Sequence, residues 1–134
     1  MVEQPGNTDL ANEPTTGKFV EAFKEIYGAI QEYHKKLGYP VIDPHIPGQL
    51  EQHRDLCLAM HAEVTELLES VPWKPWRDRS YKRVDKVNMT EEIIDILFFC
   101  NSICELWYID HNDLAKMLER KLVENNRRIS IGYN

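Results

Sequence analysis

Long apolar runs are missing from this 134-residue chain. None reaches the roughly 18 residues of a membrane span, and the opening MVEQPGNTDLANEPTTG is polar, without the apolar core of a signal peptide. Cysteine is scarce too. Cys57, Cys100 and Cys104 are odd in number, sit among apolar residues and form no Cys-x-x-Cys pair, so they read as buried thiols in a reducing, cytoplasmic compartment. Strand-like alternation, internal repeats and low-complexity tracts are absent, which leaves helices. Basic residues are the minority, 16 against 22 acidic ones for a net charge of −6, which weighs against a nucleic-acid partner held by counterion release. Clustered acids point to metal ions instead.

What is present is helical periodicity with clear punctuation. After a polar tail, residues 1–17, expected to be flexible, the stretch KFVEAFKEIYGAIQEYHKKLG places Phe19, Val20, Phe23, Ile26, Tyr27, Ile30, Tyr33 and Leu37 at helical spacing and stops at Gly38. Residues 39–48 hold three prolines and a glycine and must be a loop. A second helix is expected from about Gln49 to Ser70, and VPWKPWRDRSYKRVDKVN after it reads as a long connection. A third helix should start near Thr90 as cap and end near Trp107. Asp110 can cap a fourth, from His111 to about Ile129, which Gly132 stops. The expected fold is all-α, a four-helix bundle forming a single domain over residues 18–134.

The third helix carries an anomaly. Eleven of the seventeen residues in EEIIDILFFCNSICELW are apolar, yet three carboxylates crowd its start and it has no basic residue. At about 100° per residue, Glu92 and Asp95 lie off the apolar arc that Ile93, Ile96, Leu97, Cys100, Ile103, Cys104 and Trp107 fill. In the second helix Glu63 sits only about 20° from Leu56, on the packing stripe, with Glu66 at its edge. A carboxylate aimed at a neighbouring helix is costly unless paired, protonated or metal-bound.

If the two helices pack antiparallel, the pairs Glu63/Glu66 and Glu92/Asp95 face each other. Four carboxylates in one pocket repel unless a divalent cation intervenes, and hard oxygen ligands select Mg²⁺ or Mn²⁺, which take phosphates as remaining ligands. The competing reading is caps, ion pairs and surface, because Glu-x-x-Glu alone recurs by chance in a chain with 28% charged residues. A di-iron bundle would need Glu-x-x-His pairs, and there are none. His34, His53, His61 and His111 read as scattered surface or loop residues, with His45 in the proline-rich loop. Asn101 should bond within a helix interface. On the fourth helix, Lys121, Asn125 and Arg128 fall within about 60° of one another and can converge on one anion, unless they merely answer the helix dipole.

HAEVTELLES followed by EEIIDILFF, 26 residues from Glu66 to Glu92, resembles the signature of the all-α nucleoside triphosphate pyrophosphatases, the MazG-like and dimeric dUTPase superfamily. KLVENNRRISIGY is similar to the ending of its dimeric dUTPase branch and phage relatives, matching at Lys121, Asn125, Arg128, Gly132 and Tyr133. The resemblance covers about residues 19–133. It implies two or three Mg²⁺ or Mn²⁺ ions held by Glu63, Glu66, Glu92 and Asp95, and hydrolysis of a nucleoside triphosphate to monophosphate and pyrophosphate for control of the nucleotide pool. Lys121, Asn125 and Arg128 would bind phosphate. Trp73, Lys74 and Trp76 would touch substrate, unless the tryptophans only anchor the loop. Glu91 is either a helix cap or a catalytic helper. Gln31 or Tyr27 are candidates for the base pocket. The substrate would be dUTP or a purine deoxynucleotide such as dGTP, the assembly a homodimer or homotetramer, and the place the cytoplasm, the host's if the chain is phage-encoded. A non-catalytic interaction or nucleotide-sensing module on the same fold is the alternative.

Overall fold

The computed structural model describes residues 15–37 and 48–132. Among these residues four α-helices carry the fold: α1 (Val20–Lys36), α2 (Gln49–Leu68), α3 (Lys86–Leu106) and α4 (His111–Ser130). No strand occurs among the described residues. None of the helices is long and apolar enough to cross a membrane. The expected all-α fold is observed; most of the polar tail, the loop from Gly38 to Pro47 with His45, and Tyr133 lie outside the described residues.

The chain divides into two compact units. In the first, α1 packs on α4. Tyr27 and Ile30 of α1 and Ala115 of α4 are its buried apolar residues, with Phe23 stacked on Tyr27 at 5.9 Å between centroids. The segment before α1 is fastened to α4 by Thr16, whose backbone N–H and hydroxyl both donate to Glu119 Oε1, at 3.0 and 2.6 Å. These bonds hold the Glu119 carboxyl below the usual range. Asp110 begins α4 as foreseen, in a reciprocal capping box: Asp113 N–H donates to Asp110 Oδ1 and Asp110 N–H to Asp113 Oδ2. Gly132, at φ +82°, follows the last turn, a backbone state that favours glycine. Replacing Asp110 by alanine should lower stability by about 1 kcal/mol, read as a lower thermal midpoint by circular dichroism.

In the second unit, α2 packs on α3. The contacts fix an antiparallel register. Near the end of α2, Asp85 N–H donates to Ser70 O and Asn88 Nδ2 donates to Ser70 Oγ, at 2.9 and 2.8 Å, and Ser70 is fully buried. At its start, Gln49 Nε2 donates to Leu106 O, and Trp107 Nε1–H donates to His53 Nδ1 at 2.8 Å. An indole N–H can only donate, so Nδ1 accepts, and a neutral His53 carries its proton on Nε2, 3.6 Å from Cys57 Sγ. His53 is therefore a packing residue and not a surface one. The three cysteines are free thiols but half-buried, not buried, because their helices cover them on one side only.

Two boundaries differ from expectation. Helix α3 starts at Lys86, not near Thr90, because Asp85 accepts a hydrogen bond from Asn88 N–H at 2.9 Å. Thr90 is an interior residue whose hydroxyl donates to Lys86 O, one turn back. The connection runs over residues 69–85 and contains a 3-10 turn, Arg79–Tyr81, capped by Asp78.

Candidate active site

The register of α2 against α3 brings acids together midway along the pair. Carboxylate oxygens of Glu63, Glu92 and Asp95, one from each, lie within 4.8 Å of one another. Glu63 comes from α2, while Glu92 and Asp95 stand nearly one turn apart on α3. Glu66, expected as the fourth ligand, is the exposed member and falls outside this tight set, yet it is close enough to act on Glu92.

Glu92 is the centre of the cluster. It is 7% exposed, and a hydrogen bond with Glu63, then burial, then Glu66, push its carboxyl up to about 7. Buried like charges a few ångströms apart cannot all ionise cheaply, so one proton is retained. Glu63 Oε2 and Glu92 Oε2 are both buried without a hydrogen-bond partner. Two orphaned carboxylate oxygens facing a third acid form a hard-oxygen donor set, and it fits Mg²⁺ or Mn²⁺.

A hollow of about 630 Å³ adjoins the cluster through Asp95; Lys86, Val87, Thr90, Glu91 and Ile94 also line it. Since α3 begins five residues before Glu91, that carboxylate caps nothing, and its place in the wall of the hollow removes the cap alternative. Asn101 is fully buried and donates from Nδ2 to Glu105 Oε1 at 2.7 Å, one turn along its own helix and not across a helix interface as expected.

The connection closes on itself. Trp73 Nε1–H donates to Glu69 Oε1, and its ring meets Trp76 edge to face with centroids 5.6 Å apart. Lys74 N–H donates to the Tyr81 hydroxyl. Trp73 is half-buried and anchored, while Trp76 is 70% exposed.

Lys121, Asn125 and Arg128 stand exposed on α4, in the other unit. Arg128 Nε–H donates to Glu124 Oε1 at 3.2 Å, and Arg127 grips both oxygens of the same carboxylate. These bonds, those from Arg127 foremost, pull the Glu124 carboxyl down to about 2. Reading by sequence passed over Glu124 because it looked for cations, although its i+3 and i+4 spacing to the two arginines is a visible signal. Ser70 and Asn88, which set the register of the acids, had no sequence signal beyond being polar.

Residues 29–133 match the family model described as dUTPase. No curated protein and no solved structure matches the chain.

Proposed function

The chain belongs to the dUTPase family, within the all-α dUTPase-like and MazG-like superfamily, and from that premise we propose that it is a divalent-metal-dependent hydrolase splitting a nucleoside triphosphate into monophosphate and pyrophosphate. The observation that carries this reading is the convergence of Glu63, Glu92 and Asp95 within 4.8 Å, with two buried oxygens lacking partners. A surface ornament of acids would be solvated; in this set Glu92 is buried and Glu63 half-buried, with Asp95 at the open edge.

Glu63, Glu92 and Asp95 would hold Mg²⁺ or Mn²⁺, with Glu66 completing the donors, to a total of two or three ions. Bound there, the metal supplies charge neutralisation for the triphosphate and lowers the pKa of attacking water. The protein's own part is to organise the reactants. Glu92 must give up the proton it shares with Glu63 before both act as anionic ligands. By the family resemblance, Lys121, Asn125 and Arg128 of α4 would be phosphate donors, Lys74 of the connection is a further phosphate candidate, and Trp76 offers an exposed ring to a nucleoside, with Trp73 anchoring it at its edge. Arg128 would leave or share Glu124 when phosphate arrives, since both are anionic acceptors.

The family description favours dUTP, and a purine deoxynucleotide such as dGTP is the second choice. Residues 18–134 would act as one domain, working in the cytoplasm where nucleoside triphosphates are made. We infer a homodimer or homotetramer, because few apolar residues are buried while Leu50, Leu58, Val64, Val87 and Ile93 stand 48 to 72% exposed.

Incubating the purified chain with each ribo- and deoxynucleoside triphosphate, dUTP and dITP in Mg²⁺ or Mn²⁺ should release pyrophosphate and monophosphate in equal amounts from a preferred deoxynucleotide. Release with none of them would leave the non-catalytic module as the better account.

A further inference from the structure

The whole-chain charge hides a strong segregation. Residues 74–86 hold six of the 16 basic side chains and two of the 22 acidic ones, a net of +4 against −10 for the rest. The six cations are Lys74, Arg77, Arg79, Lys82, Arg83 and Lys86, and all but half-buried Lys74 are exposed. Among the described residues none of them forms an ion pair. The two acids of the stretch are turned onto backbone amides: Asp78 accepts from Ser80 N–H and Asp85 from Asn88 N–H, both at 2.9 Å.

Aromatic rings are interleaved with these charges. Trp76 is 70% exposed, held from one side by the edge of Trp73. The Arg77 guanidinium lies 4.1 Å from the centre of the Tyr81 ring, and the Tyr81 hydroxyl is fixed by Lys74 N–H. The proposed hydrolysis uses Lys74 and the tryptophans, but it gives no task to Arg77, Arg79, Lys82 and Arg83. One triphosphate concentrates its charge in a short tail. These cations are instead spread over a connection that turns at residues 75–77 and again through the 3-10 turn Arg79–Tyr81, with single extended residues at Asp78, Lys82 and Asp85. A run of exposed cations without ion-pair partners beside an exposed ring suits a polyanion whose phosphates recur and whose bases can stack. A protein–protein contact fits less well, because interface cores are depleted of lysine and of unpaired charge.

We propose that the connection formed by residues 74–86 is a binding surface for single-stranded nucleic acid, with Arg77, Arg79, Lys82 and Arg83 on phosphates and Trp76 stacked on a base. This surface does not depend on the hydrolase reading. It would hold the protein on exposed single strands, and the excess of acids elsewhere would keep the rest of the chain off the polymer.

The test is fluorescence anisotropy of the full chain with a labelled oligothymidylate of about twelve nucleotides, within the range of common single-strand site sizes. With about four phosphates neutralised, affinity should fall about fifty-fold between roughly 50 and 200 mM salt, from a slope of about 0.7 per phosphate. The double variant Arg79→Glu, Arg83→Glu should bind at least about ten-fold more weakly, with a shallower salt slope and unchanged pyrophosphate release. Trp76→Phe should keep most of the affinity and Trp76→Ala should lose about five-fold or more. No binding by the parent protein at low salt overturns the proposal. So does equal affinity for the matching duplex. Lost hydrolysis in the double variant would assign these cations to the substrate. A changed sedimenting mass in that variant with oligonucleotide binding intact would assign them to contacts between copies. If the hydrolase assay fails for the parent, the oligonucleotide affinities, their salt slopes and the sedimenting mass remain readable.

Discussion

Glu92→Gln is expected to cut pyrophosphate release by more than about 100-fold, since even residues that only support metal ligands are worth 10- to 100-fold, while making the metal-free protein more stable at pH 8. Both effects come from one property of the site. Glu92 is buried against Glu63 and within reach of Glu66, so its charge is opposed by burial and by its neighbours. Glutamine keeps the shape, removes the charge and offers an N–H to Glu63, but it cannot serve as an anionic ligand. Activity and thermal midpoint should therefore move in opposite directions. A variant that retained turnover within a few-fold of the parent would show that Glu92 holds no metal. One that lost helicity by circular dichroism would leave Asp95→Asn as the cleaner probe, because Asp95 can be altered without disturbing the buried pair.

The second large effect concerns protons and metal together. Without a divalent cation, folded Glu92 keeps its proton up to about 7 whereas the unfolded chain releases it near 4.5. The folded state thus binds more protons between these values, and stability must fall as pH rises through the window. The contribution is fully present below 4.5 and lost above 7. Mg²⁺ should invert the trend, since carboxylates bind metal only when deprotonated and apparent affinity climbs with pH. At a hundred-fold excess over its Kd the ion would stabilise by about 2.7 kcal/mol, which for a chain of this length is a rise of roughly 10 °C in thermal midpoint. Melting curves between pH 5 and 8, in chelator and in Mg²⁺, would show two slopes of opposite sign. Indifference to Mg²⁺ at every pH would remove the metal centre.

Much of this was legible before any coordinates. The α4 start was readable because Asp110 and Asp113 are local partners three residues apart, and local geometry is what sequence spacing encodes. The acids were readable because the apolar stretch 91–107, without a single basic residue, has no cheap use for Glu92 and Asp95. The α3 start was not, because Thr90-Glu91-Glu92 mimics a capped first turn while the effective cap, Asp85, is lost among neighbouring charges. Glu66 lies outside the tightest set for a related reason: a helical wheel gives direction but not depth. The His53–Trp107 bond spans 54 residues, beyond any periodicity. The basic connection was visible in the sequence all along, and a single net charge averaged it away.

The fastenings at the two ends of the α2–α3 pair have a mechanical meaning for its middle. Ser70 is tied to Asp85 and Asn88 at one end, and His53 to Trp107 with Gln49 to Leu106 at the other. Between these clamps sit carboxylates that would push the helices apart if they ionised. Folding therefore does the work of assembling mutually repelling carboxylates, and under the proposed metal reading an arriving cation would find them already gathered. Loosening either end, for instance by Asn88→Ala, would not touch the acids at all, yet would let them spread and relax, turning a poised receptor for charge into an ordinary acidic surface.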